Sequence, residues 1–283
     1  MKILLSLGTF TLLFASFVGC DVNSSAPPVT NTTASPVNST TALPKEEAEK
    51  LIHRLATQDG CKDSTADLRL SFTDAEGKSQ QMDFRLQRKY ESGKVSTLMT
   101  VLSPPEESEK ALLAFEEDGK PTTAISYLAG LKKVAQLKSD NPLNFRGSKS
   151  TVQEMLGMEL GQYQIANTTA ANGAIVIELK EKDGAQLSFP RLDVTFAEKD
   201  KTPSKFELYD GRGEKAKTIQ AAELKTNQNY QAITKMEIED HRNKQTLKLE
   251  TRSIKYDTNL SASLFTEANL IKTVTAASQK QIQ

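Results

Sequence analysis

The 283-residue chain carries 36 basic against 36 acidic side chains, and 37% of its residues are hydrophobic. That balance is ordinary for a globular domain of moderate size and leaves no electrostatic footprint for nucleic acid. Aromatic residues make up 6% with no tryptophan, which weighs against a carbohydrate-stacking surface.

The chain begins with a targeting segment. Lys2 is its charged start, and Ile3 to Val18 is its apolar stretch, too short and unflanked for a transmembrane helix. Phe17-Val18-Gly19-Cys20 ends the apolar run. With Gly before Cys and Val two before it, this junction resembles the lipobox of bacterial lipoproteins, although Phe17 stands where Leu is usual. An ordinary cleaved signal peptide that happens to contain a cysteine is the other reading. The resemblance implies cleavage that removes residues 1–19, a thioether-linked diacylglycerol on Cys20 and an acyl group on its amino nitrogen. A single acyl chain binds a bilayer only marginally, at about 0.8 kcal/mol per methylene, so three on one residue imply permanent anchoring. Asp21 resembles the signal that retains enterobacterial lipoproteins in the inner membrane, which places the chain on the periplasmic side of that membrane.

Residues 20–43 read as the lipidated cysteine and a disordered tether. Ser, Thr, Asn, Ala and Pro dominate from Asp21 to Leu43, and such a segment cannot bury enough apolar surface to offset its ordering entropy. As a flexible coil it spans roughly 25 Å. Asn31-Thr32-Thr33 and Asn38-Ser39-Thr40 match glycosylation sequons but are read as tether composition.

The folded domain is expected over residues 44–272, with 273–283 as a flexible tail. Pro44, then Glu46 and Glu47, suit a helix start, and Ala48, Leu51, Ile52 and Leu55 form one stripe, so Lys45 to Thr57 is predicted as an amphipathic helix. Gly60 is its stop. Cys61 has no intrachain partner if Cys20 is lipidated; it is a buried small residue, a mixed disulfide or an intermolecular link.

From Asp67 the period switches to two. Leu68, Leu70 and Phe72 are answered after a turn by Met82, Phe84 and Leu86. Further strands are predicted at Leu98 to Leu102, Ala111 to Phe115, Ile125 to Leu128 and Lys133 to Leu137. A loop from Asn141 to Ser148 and a short amphipathic segment, Thr151 to Leu160, follow. Ile175 to Leu179, Leu192 to Phe196, Phe206 to Leu208, Lys217 to Ala221, Ala232 to Glu239 and Thr246 to Ile254 complete the strands. Short strands with one apolar face each, joined by hairpin turns, argue a single, strongly curved antiparallel sheet.

The order from Leu98 to Leu160 is similar to that of the LolA-like family of outer-membrane lipoprotein-sorting proteins. The matching residues are Leu102-Ser103-Pro104, Ala111-Leu112-Leu113, Tyr127-Leu128, Leu131-Lys132-Lys133-Val134, Leu137, Phe145, Gly147-Ser148 and Leu156. Leu264-Phe265-Thr266 with Leu270 matches the family's ending, so the likeness runs from about Ala66 to Leu270. Ala129-Gly130 stand where Pro-Ala is usual, and Lys149-Ser150-Thr151-Val152 replace an acidic-aromatic run. The resemblance implies a mainly β fold: a half-open antiparallel barrel with short helices across its concave face, which in the family receives acyl chains. On that expectation the cavity is lined by Met99, Val101, Leu113, Phe115, Ile125, Tyr127 and Leu137, with Leu51, Leu55, Met155, Leu156 and Met158 as lids.

Catalytic patterns are missing. His53 and His241 have no HExxH or paired-cysteine partner, no GxSxG elbow occurs, and Gly211-Arg212-Gly213 is a turn. No metal and no cofactor beyond the lipid on Cys20 is expected. Leu131-Lys132-Lys133 is a basic spot, either an exposed hairpin or a contact for lipid headgroups. The reading is a monomeric, non-enzymatic protein that binds and transfers lipid acyl chains or lipoproteins in the bacterial envelope, with the membrane and an inner-membrane transporter as partners. The alternative is an anchored accessory subunit that docks on an envelope lipid or efflux transporter and binds no lipid itself.

Overall fold

The computed structural model describes residues 42–56, 61–73, 77–91, 93–117, 120, 122–138, 141, 151–152, 160–185, 187–227 and 230–280. The targeting segment, Cys20, Asp21, the tether up to residue 41 and the expected lid residues Met155, Leu156 and Met158 lie outside the described residues.

Helix α1 (Lys45–Ala56) opens the domain. Glu46 and Glu47 occupy its first turn, where the helix dipole favours negative charge, and Lys50 reaches back to Glu46 at 2.9 Å. Its apolar stripe is fully used: Ala48, Leu51 and Leu55 are 0%, 3% and 3% exposed.

Thirteen strands then form one sheet. They are β1 (Asp63–Thr73), β2 (Ser79–Glu91), β3 (Lys94–Ser103), β4 (Ala111–Glu117), β5 (Thr123–Leu128), β6 (Lys133–Leu137), β7 (Tyr163–Ala171), β8 (Ala174–Glu181), β9 (Arg191–Ala197), β10 (Pro203–Tyr209), β11 (Lys215–Asn227), β12 (Tyr230–Asp240) and β13 (Gln245–Tyr256). Every pairing is antiparallel, and the order is β6-β5-β4-β3-β2-β1-β13-β12-β11-β10-β9-β8-β7. The first and last strands meet at β1–β13, while β6 and β7 are the two edges, so the sheet is not closed. Register shifts between Asp67 and Leu68, Asp83 and Phe84, and Leu208 and Tyr209 act as bulges, which bend strands and strengthen the coiling of the sheet.

Alternation sorts the side chains. Phe72, Leu247, Ile238, Ile219, Phe206, Val194 and Ile177 are successive cross-strand partners and make one apolar row across seven strands. Leu68, Phe84 and Val101 form a shorter row, and Ala66, Leu86, Met99 and Leu112 the next. These rows belong to a single buried cluster that reaches nearly every strand and includes α1. This is the inner face of the half-open barrel. The opposite face of the central strands carries charges paired in register: Arg69 meets Asp83 and Arg85 meets Asp67, each at 2.7 Å and each directly opposite its partner.

Two elements depart from the expectations. Strand β7 was not expected, because its sequence YQIANTTAA has little alternation and it buries little as an edge strand. Its hairpin to β8 turns on Asn172 and Gly173, both at positive φ (54° and 75°), the residue pair a two-residue turn favours. The expected flexible tail is also corrected. Residues 273–280 continue a second helix, α2 (Glu267–Lys280), in which Leu270 and Val274 are both 0% exposed.

Candidate functional site

The inner face positions the candidate site. Met99 (0% exposed) and Val101 (4%) lie in its cluster, Leu137 packs against it from β6, and Leu51 and Leu55 enter it from α1. Val152 and Leu160, the described ends of the second expected lid segment, are buried in the same cluster.

The other expected lining residues do not join them. Leu113 and Ile125 are buried in a separate cluster with Leu98, Phe265, Leu270 and Val274, and Phe115 and Tyr127 pack against that cluster. They sit on the outer face of β3 to β5, beneath α2. The reason is register. Met99 is the partner of Leu112 and Leu98 the partner of Leu113, so Met99 and Leu113 lie on opposite faces of the sheet. The residues that replace them on the inner face are Leu112, Ala114 and Ala124. Strand β4 is buried on both faces, so its run Ala111 to Phe115 has no alternation from which a face can be chosen. The pairing of Met99 with Leu112 decides the face.

Polar groups flank the apolar rows at both ends. At one end Ser64, Arg88, Thr97 and Ala114 are successive partners, and Arg88 (1% exposed) is buried together with Thr97 (0%). Burial pushes the Arg88 guanidinium below its ordinary range, against the opposing influence of Tyr90 and Glu116. At the other end Lys217 meets Asp240 at 3.0 Å, and Asp240 also accepts from the Asn243 backbone N–H and side-chain amide, both at 2.9 Å. An inner face that is apolar along its length and polar at its two ends can hold an extended apolar ligand and stop it there.

Cys61 is buried beside this barrel. Its Sγ donates to the Asp63 carbonyl at 2.9 Å, and burial pushes its thiol up to about 12, so it stays a neutral packing group at physiological pH. The Asp63 carboxylate accepts from the Thr258 N–H (2.7 Å), the Thr258 hydroxyl (2.9 Å) and the Leu260 N–H (3.0 Å), which pins the segment leading to α2. His53 is exposed on α1, and His241 Nε2 sits 2.9 Å from the Thr218 hydroxyl. Among the described residues no group of His, Cys, Asp and Glu is arranged to hold a metal ion.

A family model described as "Uncharacterized protein" matches residues 93–272, more than half of the chain. No curated protein matches it in sequence. A domain from Vibrio parahaemolyticus assigned to outer membrane lipoprotein-sorting proteins is 23% identical with a TM-score of 0.66, over 75% of this chain and 93% of that one. A DUF1329 family protein from Desulfovibrio piger is 16% identical with a TM-score of 0.72, over 80% and 99% respectively. A LolA superfamily protein from Nitrosomonas europaea is 14% identical with a TM-score of 0.60, over 74% and 92%. At these identities the likeness is one of fold. The chain belongs to the family of the model matched over residues 93–272, and its fold is the LolA-like open barrel.

Proposed function

We propose that this protein binds lipid acyl chains, free or carried by lipoproteins, on its inner face and passes them on within the bacterial cell envelope. The observation that carries this reading is the continuous apolar inner face of an unclosed sheet, with Leu51 and Leu55 of α1 packed into it. The fold shared with a domain assigned to lipoprotein sorting supports it. The Val18-Gly19-Cys20 junction adds a lipid anchor, and Asp21 favours the periplasmic side of the inner membrane. An anchored carrier does not shuttle freely, so it exchanges cargo locally, with the bilayer or with an inner-membrane transporter as its neighbour. The role is binding, not catalysis, by a monomer whose one prosthetic group is the lipid on Cys20.

Magnitudes shape the mechanism. Burial of a chain of about sixteen carbons contributes up to about 12 kcal/mol. A carrier that kept all of it could not deliver. Here the inner face is already filled by its own side chains and by α1, so a ligand replaces protein contacts and the net gain shrinks.

The test is mass spectrometry of lipids that co-purify with the Cys20→Ala protein, together with titration of a fluorescent acyl probe. Bound lipid and micromolar probe affinity are expected. The same variant should lose fatty-acid labelling, and continued labelling would place the anchor elsewhere. If extracts hold no lipid and the probe does not bind, the carrier reading fails and the docking-subunit reading replaces it.

A further inference from the structure

We propose that the tip of the β5–β6 hairpin, Leu128 to Lys133, is a contact for the surface of an anionic lipid bilayer, separate from any anchor at Cys20. Three large hydrophobic side chains are exposed among the described residues: Leu131 (67%), Leu128 (45%) and Leu102 (44%). All three lie at the same end of the sheet. Leu102 is near the end of β3, Leu128 ends β5 and Leu131 closes the 3-10 turn Ala129–Leu131. Gly130 is exposed beside Leu131, with open space around it, so the turn projects from the body.

Two lysines complete the tip. Lys132, held at φ 49°, and Lys133 are both exposed, and among the described residues neither pairs with a carboxylate. Several basic side chains of the outer face are matched, as in Arg191 with Asp193, Arg252 with Glu250 and Lys248 with Glu237. The neighbouring β3–β4 turn carries Glu106, Glu107 and Glu109, of which Glu107 pairs with Lys110 and Glu109 accepts from Ser278. What distinguishes the tip is that two adjacent lysines without a carboxylate partner stand beside the most exposed large hydrophobic side chain among the described residues. Apolar side chains that enter the acyl boundary, flanked by lysines at headgroup level, are the chemistry that an anionic bilayer selects.

The tip also continues the binding face. Leu128 follows Ala124 and Ser126 on the inner side of β5, because Ser126 is the partner of inner-face Leu112. The inner face therefore reaches the tip through Ser126, and contact there brings that face to the bilayer.

The chain has no tryptophan, so Leu131→Trp in residues 21–283, the mature chain without its lipidated cysteine, supplies a single reporter that no anchor holds at the bilayer. With vesicles of phosphatidylethanolamine and phosphatidylglycerol its emission should shift to the blue and be quenched by brominated acyl chains. With phosphatidylcholine alone the shift should be small. Adding Lys132→Ala and Lys133→Ala should raise the half-saturating lipid concentration roughly twenty-five-fold, from about fivefold per lysine. Lys199→Trp, exposed in the β9–β10 turn at the other end, should keep a water-like spectrum. Leu128→Trp serves as a second reporter with the same expectation. The proposal is overturned if the tip reporters do not shift, if the Lys199→Trp reporter shifts equally, if loss of both lysines leaves the half-saturating lipid concentration unchanged, or if the shift needs an envelope protein fraction instead of lipid.

Discussion

Lys217 and Asp240 face each other at 3.0 Å with 5% and 2% of their side chains exposed. Two charges taken out of water at the end of an apolar row are costly unless each keeps its partner. Lys217→Met should therefore destabilise the fold by about 3–5 kcal/mol, and Lys217→Met with Asp240→Leu should recover much of that loss, measured by urea unfolding. The pair also predicts a pH dependence. Burial raises the Asp240 pKa, but the Lys217 charge and the Asn243 hydrogen bonds outweigh it, so the folded value lies below the ordinary one. As pH falls the unfolded chain takes up the proton first, at about pH 4. The stabilisation from this group is thus present above about pH 4 and is lost as the pH drops through the folded value. The Asp240→Asn protein should show a shallower loss of stability in that acid range.

At the scale of elements, the two faces of β3 to β5 do different work. The inner face, with Met99, Leu112 and Ala124, belongs to the candidate binding surface, and the outer face, with Leu98, Leu113 and Ile125, seats α2 through Phe265, Leu270 and Val274. Leu113 of β4 and Met99 of β3, on opposite faces of the sheet, should then give separable effects. Leu113→Ala should cost about 2–5 kcal/mol and loosen α2 while leaving acyl-probe affinity unchanged in the folded fraction. Met99→Leu should cost less than about 1.5 kcal/mol yet change the chain-length preference of bound lipid. Hydrogen exchange across 267–280 and probe titration together read the two outcomes. Equal effects of both substitutions on probe affinity would mean that the faces are not independent.

For the whole molecule, α1 is an element of the open sheet's inner face that ligand can displace. The helix touches β7, where the Thr168 hydroxyl donates to the Leu43 carbonyl at 2.8 Å, and Lys201 of the β9–β10 turn pairs with its Glu47 at 3.4 Å. These are surface ties, worth about 1 kcal/mol or less for the ion pair. The sheet behind them is a ladder of long antiparallel strands. Binding of an acyl chain should accordingly speed hydrogen exchange in α1 and leave β1, β2 and β13 as protected as before. Uniform slowing across α1 and the sheet would show that the ligand binds without moving the helix.

The strand and helix elements were largely legible in the amino-acid order, because alternation and the stripe of α1 are local. The bounds of Lys133–Leu137 and the start of α1 at Lys45 are legible to the residue. A mainly β, curved antiparallel sheet followed from strands with one apolar face each, and its half-open barrel from the resemblance to the LolA-like family. Two elements escaped: β7, where only the Asn172-Gly173 turn marked the hairpin, and α2, whose Leu270 and Val274 look like a tail until a sheet face is there to receive them. What only the tertiary structure decided was sidedness. A strand buried on both faces, such as Ala111–Glu117, carries no local sign of which residues point inward. A step of one residue exchanges the two sets. Long-range register, Met99 against Leu112 and Phe72 against Leu247, made that choice, because it is set by the strands that pair and not by the residues within either one.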